Sequence, residues 1–141
     1  MPVFPSKQWC EQAVRLINAD PESRDAGRGW VGDFGAVVEA EPGRLSRPFA
    51  IHCQPRNGQV TQLRILRDPD ELDEIEPVYL ARAPYSVWKG LIQGTVDPTE
   101  ALLRRKIVLK GDAEQLVQRM RYKSIAKRVL AQLATEFADE T

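Results

Sequence analysis

Residues Trp88-Lys89-Gly90-Leu91-Ile92-Gln93-Gly94-Thr95-Val96-Asp97-Pro98-Thr99-Glu100-Ala101-Leu102-Leu103 decide the reading of this chain. Tyr85, Trp88, Leu91 and Ile92 recur at three- and four-residue spacing, which predicts a helix after Pro84. Gly94 is placed to close that helix in the left-handed conformation. Asp97-Pro98-Thr99-Glu100 then opens a second, short helix. Asp97 accepts from the first free amides, Pro98 falls where no amide is needed, and Glu100 reaches back as in a capping box. The apolar content of this helix is Ala101, Leu102 and Leu103. Lys106 to Lys110 reads as a strand and Gly111-Asp112 as a turn. Asp112 caps a third helix lined by Leu116, Val117 and Met120. A last helical stretch carries Ile125, Val129, Leu133 and Phe137 at four-residue intervals.

Upstream, Ser6 caps a first helix that runs to about Asp20, with Trp9, Ala13, Leu16 and Ile17 on one face. Asp20-Pro21 is read as its end, and the polar residues 21–29 as a mobile loop. From Trp30 the period becomes two. Trp30, Phe34, Ala36 and Val38 share one side of a strand, and Asp33, Val37, Glu39 and Glu41 share the other. A second strand, Pro48 to Gln54, puts Phe49, Ile51 and Cys53 on one face and His52 on the opposite one. Asn57-Gly58 is a hairpin signal, because both positions tolerate positive φ. The return strand, Gln59 to Arg67, alternates Thr61, Leu63 and Ile65 with Gln62, Arg64 and Leu66. Asp68 to Glu76 holds six acidic residues and reads as a solvated loop or frayed helical turn. Pro77 to Ala83 is a further short strand. Strands cluster early and helices late, which predicts an α+β fold: a five-stranded mixed sheet covered on one face by helices.

The 141 residues suit one domain spanning 1–141. Lys plus Arg equals Asp plus Glu, at 20 each, so the chain lacks the basic excess of a dedicated nucleic-acid binder. Arg104, Arg105, Lys106, Lys110, Arg119, Arg121, Lys123, Lys127 and Arg128 nevertheless concentrate in the C-terminal third. They read first as the solvated faces of amphipathic elements, and second as a patch for anionic headgroups or nucleic acid. The two cysteines, Cys10 and Cys53, exclude a disulfide scaffold and a zinc ribbon but leave a single bridge open. No window reaches the length of a membrane span, and the N-terminus does not resemble a signal peptide. A cytoplasmic protein with no integral membrane segment is the expectation. The only histidine, His52, and its neighbour Cys53 point to opposite faces of a strand, so they form no catalytic pair. One histidine and two cysteines are a poor supply of zinc ligands. Gly27, Gly29, Gly32 and Gly35 lack the spacing of a phosphate-binding loop. No catalytic residue, metal ligand or cofactor is predicted.

The quoted stretch, with the following Ile107-Val108-Leu109-Lys110-Gly111-Asp112, resembles the sterol carrier protein 2 family. The clear match runs from about Tyr79 to Leu116. The resemblance implies a five-stranded sheet with an apolar tunnel beneath its helices. It also implies non-catalytic binding or transfer of a lipid: a fatty acid, a fatty acyl-CoA or a sterol-like molecule. Phe49, Ile51, Trp88, Leu91, Ile92, Leu102, Leu103, Val108 and Leu116 are the expected lining residues, for their apolar character and their place on the sheet face or lid helices. Arg104, Arg105 and Lys110 are candidates for an anionic headgroup. The rival expectation is an interaction or accessory module with a filled core. There the stripe Ile125, Val129, Leu133 and Phe137 packs on a second copy to make a homodimer.

Overall fold

The structure, a computed structural model, describes residues 1–30, 32–111, 114 and 121–141. The elements run β1 (Val3–Phe4), α1 (Lys7–Ala19), α2 (Pro21–Ala26), β2 (Phe34–Glu39), β3 (Phe49–Arg56), β4 (Gln59–Leu66) and α3 (Glu71–Ile75). They continue with β5 (Tyr79–Pro84), α4 (Tyr85–Gln93), α5 (Pro98–Leu103), β6 (Val108–Lys110), α6 (Arg121–Gln132) and β7 (Glu136–Phe137), and end in a 3₁₀ turn at Ala138–Glu140. Five strands form a mixed sheet in the order β4-β3-β2-β5-β6. β2 and β5 pair in parallel, and the other neighbours are antiparallel. The α+β class and the five-stranded mixed sheet are as the sequence predicts.

Local chemistry explains most element boundaries. Ser6 Oγ accepts from the Trp9 amide at 3.1 Å and opens α1. Asn57 and Gly58 both take positive φ and close the β3–β4 hairpin. Gly58 also lies against α2, where a Cβ would collide with the Ser23 carbonyl oxygen. Gly94, at φ +80°, ends α4 with its amide on the Gly90 and Leu91 carbonyls. Asp97 accepts from the Thr99 amide at 3.2 Å and opens α5. Glu100 does not complete a capping box; its carboxylate pairs with Arg104 at 3.0 Å.

Several expectations are corrected. Residues 21–29 are not all loop. Asp20 accepts from the Glu22 amide at 2.9 Å and Pro21 occupies the first turn, so the pair that ends α1 also starts α2. Trp30 lies outside β2, and its indole N–H donates to the Gly32 carbonyl at 2.9 Å. β6 begins at Val108 rather than Lys106. The amides of Lys106 and Ile107 are still turned back onto the Ala101 carbonyl, at 2.8 and 3.3 Å. The expected third helix over Leu116, Val117 and Met120 lies outside the described residues.

One face of the sheet, the inner face, packs under α1, α4 and α5. The opposite, outer face is covered locally by α3. Leu72 is fully buried there against Val37, Ala50 and Leu66. The acidic run is therefore a short helix with one apolar anchor, and Glu71 accepts from the Arg67 amide at 2.7 Å.

The chain termini close on each other. β1 pairs with β7 in parallel, matching Val3 with Glu136 and Phe4 with Phe137. Phe4 sits edge-on to Trp9, with ring centroids 4.8 Å apart, and near Tyr85 and Phe137. Phe137 is thus strand, not helix. All four members of the stripe are buried within their own chain, Ile125 and Val129 beside Ala26 and Leu133 and Phe137 beside Phe4. The stripe is not a free surface for a second copy, because the α1–α2 layer and the terminal strands already cover it.

Asp139 anchors this closure. Its Oδ1 accepts from Tyr85 Oη and Lys89 Nζ, both at 2.9 Å, and Arg44 Nη1 donates to its Oδ2 at 3.3 Å. The Lys89 ammonium holds the Asp139 carboxyl below its usual range, against the opposing effect of burial and with help from the Tyr85 hydroxyl. A depressed carboxylate stabilises the fold above its unfolded pKa, and that contribution is lost as pH falls through the native value.

This packing has two measurable consequences. Leu72→Ala is expected to lower unfolding free energy by about 3 kcal/mol, read by urea denaturation. An unchanged midpoint would mean that α3 does not seal the outer face. Asp139→Asn is expected to destabilise the protein at pH 7. It should also flatten the fall in stability that the unsubstituted chain shows below about pH 4. Parallel pH profiles for the two proteins would refute this role of Asp139.

Candidate functional site

Strand register assembles the inner face. One cross-strand row joins Ile65, Ile51, Ala36, Ala81 and Leu109 across all five strands. A second joins Leu63, Cys53, Phe34 and Tyr79. Residues directly opposite in register share a face, so each row is continuous.

Each face is sealed only in part. On the outer face Val37 and Ala50 are each 1% exposed, and His52 and Leu66 are also buried. On the inner face Val38, Tyr79, Ala81 and Ala83 are buried, whereas Phe34, Ala36, Phe49, Ile51, Cys53, Leu63 and Ile65 are half-buried. Trp88 and Ile92 of α4 and Leu16 of α1 belong to the same apolar cluster and are half-buried too. A layer of helices thus lies over β2, β3 and β4 without fully withdrawing their apolar side chains from solvent. The Trp88 indole N–H fixes α4 above the sheet by donating to the carbonyls of Val37 at 3.0 Å and Ala83 at 3.1 Å.

The expected lining residues divide into groups. Phe49 and Ile51 of the sheet meet Trp88 and Ile92 of α4 in one cluster. Leu91 and Leu102 join a neighbouring cluster with Phe34, Ala81, Ala101 and Ile107. Leu103 does not line the inner face. It is 80% exposed, because Ala101 and Leu102 occupy the inward side of α5. Val108 is 60% exposed and lies on the outer face of β6, since Leu109 takes the inward position. Lys110 shares that outer face, and Arg104 and Arg105 are exposed. Leu116 lies outside the described residues. Phe34, Leu63 and Ile65 belong to the inner face but are absent from the expected set. Their period-two alternation was legible; which side of each strand faces the helices was not.

Polar groups near the site are quiet. Cys10 and Cys53 are both free thiols. Burial, with Cys53 and Glu11 as smaller causes, pushes Cys10 up to about 12. Burial likewise pushes Cys53 up to about 11, so neither is a thiolate at neutral pH. His52 faces the outer side, with Nε2 2.7 Å from Asp33 Oδ2. Burial raises the Asp33 carboxyl, but the Val78 amide and His52 outweigh it and leave it lowered. Among the described residues no group of three His, Cys, Asp or Glu side chains could hold a metal. No helix among them is long and apolar enough to cross a membrane.

No protein-family model matches the sequence, and no curated protein does. Solved structures do match. The crystal structure of sterol carrier protein 2 superposes with a TM-score of 0.74 at 18% identity, covering 92% of this chain and 98% of the other. A conserved hypothetical protein of Thermus thermophilus, suggested to be a sterol carrier protein, gives 0.77 at 19% identity, covering 93% and 90%. UbiJ-SCP2, a ubiquinone synthesis protein, gives 0.54 at 15% identity, covering 93% and 99%. The chain has the sterol carrier protein 2 fold.

Proposed function

We propose that this chain is a non-catalytic lipid carrier that binds the apolar part of a fatty acid, fatty acyl-CoA or sterol-like molecule against the inner face of its sheet. The observation that carries this reading is the half-buried group Phe34, Phe49, Ile51, Cys53, Leu63 and Ile65, which stays partly wet although a helical layer lies over it. Protein interiors are close-packed, so apolar side chains left partly wet under helices are a surface awaiting apolar atoms. Each CH₂ that a ligand buries there contributes about 0.8 kcal/mol, and an acyl chain needs no hydrogen bond to bind tightly. Phe49, Ile51, Trp88, Ile92, Leu91 and Leu102 are the lining residues in this reading, with Phe34, Leu63 and Ile65 added. The fold shared with sterol carrier protein 2 supports the same function.

The thiols, both protonated at neutral pH, and the outward-facing His52 supply no nucleophile on this face, which supports a carrier over an enzyme. A cytoplasmic site of action goes with the reading, supported by two unpaired cysteines. The homodimer reading has less support, since its stripe is already covered by the chain's own residues.

Native mass spectrometry of gently purified protein, followed by organic extraction, tests the proposal directly. A stoichiometric lipid is expected. In titrations with a fluorescent fatty acid, Ile51→Asn and Leu63→Asn are each expected to weaken binding about tenfold, because an amide must then be buried without a partner. A ligand-free protein that takes up neither fatty acids nor sterols would overturn the reading. So would unchanged affinity in folded variants.

A further inference from the structure

The corner between α5 and β6 has a composition the inner face does not use. From Ala101 to Gly111 there is no acidic residue and there are four cations: Arg104, Arg105, Lys106 and Lys110. Two bare apolar side chains bracket the turn, Leu103 at 80% exposure and Val108 at 60%. Large apolar residues this exposed are few among the described residues; the others are Met1 at the terminus and Val78.

The corner is built rather than loose. Arg105 takes φ +57°, and the amides of Lys106 and Ile107 turn back onto the Ala101 carbonyl. Ala101 and Ile107 are buried and anchor the two ends. Leu103 is consequently held outward by a fixed turn. Arg104 is partly offset by Glu100 at 3.0 Å. Arg105, Lys106 and Lys110 make no ion pair among the described residues.

We propose that this corner docks the protein on anionic lipid bilayers, with Leu103 and Val108 entering the headgroup layer and Arg105, Lys106 and Lys110 facing lipid phosphates. Charge complementarity selects this occupant. A neutral chain that gathers uncompensated cations at one corner is drawn locally to a negative surface. The exposed leucine and valine separate a bilayer from a nucleic acid, because they gain nothing from a phosphate backbone and do gain from the interfacial region. The docking goes beyond the cargo proposal and does not depend on it, since none of these side chains lies on the inner face.

Flotation with vesicles of phosphatidylcholine alone and of phosphatidylcholine mixed with phosphatidylglycerol tests it. The protein is expected to float only with the mixed vesicles, and to be released as salt is raised. Arg105→Glu and Lys106→Glu should each reduce partitioning at least about fivefold, the worth of one cation at such a surface. Leu103→Asp should reduce it at least as much without unfolding the chain, since that side chain is mostly in solvent. Arg24→Glu combined with Arg28→Glu, exposed cations elsewhere on the surface, should change flotation far less than the corner pair does. Absence of flotation, equal flotation on neutral vesicles, or equal loss in the Arg24/Arg28 variant would each overturn the proposal. Retention on nucleic acid in place of vesicles would do the same. Ile51→Asn is expected to keep full flotation, so a failed cargo experiment and a failed docking experiment can be told apart.

Discussion

The indole N–H of Trp88 holds the helical layer to the sheet. It donates to the carbonyls of Val37 and Ala83, one on β2 and one on β5, the two parallel neighbours at the centre of the sheet. α4 starts immediately after β5, whose last residue, Pro84, is extended and caps the helix, so the strand's path already dictates where the helix begins. The Trp88 bond then fixes its rotation. Ile92 turns toward the cluster of α1 and the terminal strands, and Leu91 toward the cluster of α5. Two acceptors share this partly buried donor, so turning the helix away would forfeit both bonds.

The sheet spends its apolar residues unequally. Over Val37, Ala50 and Leu66 the outer face is closed by a single turn of helix that contributes Leu72. The inner face carries longer helices, yet leaves several apolar side chains half-buried. Stability is supplied elsewhere, where the two ends of the chain pair as β1 and β7 and Asp139 draws together Tyr85, Lys89 and Arg44. Closure at the termini lets the fold stand while one apolar face stays accessible. Charge is distributed in the same divided way. Acidic residues gather on α3 and cations at the α5–β6 corner, while the sum is zero.

How far the site was legible can be judged from single residues. Ile51 and Trp88 were identifiable as inner-face residues because strand alternation and helical spacing are local. Leu103 was not, because Leu102 and Leu103 are equally apolar neighbours and only the packing of Ala101 against Ala81 and Ala83 decides which of them turns inward. Val108 failed for the related reason that alternation assigns sides but not which side meets helices. Asp20-Pro21 reads equally as an end or a beginning, and it is both.

By itself the sequence determined the local elements: the Ser6 and Asp97 caps, the Asn57-Gly58 hairpin, the Gly94 stop and the amphipathic runs between them. Each rests on dihedral preferences and hydrogen bonds within a few residues. Only the tertiary structure decided that β2 lies parallel to β5, that Val3–Phe4 pairs with Glu136–Phe137, and that Phe137 closes the core instead of extending a helix. These are contacts between distant segments. Their free energy comes from burial shared by residues far apart in the chain, and no local pattern encodes which partner a segment will meet.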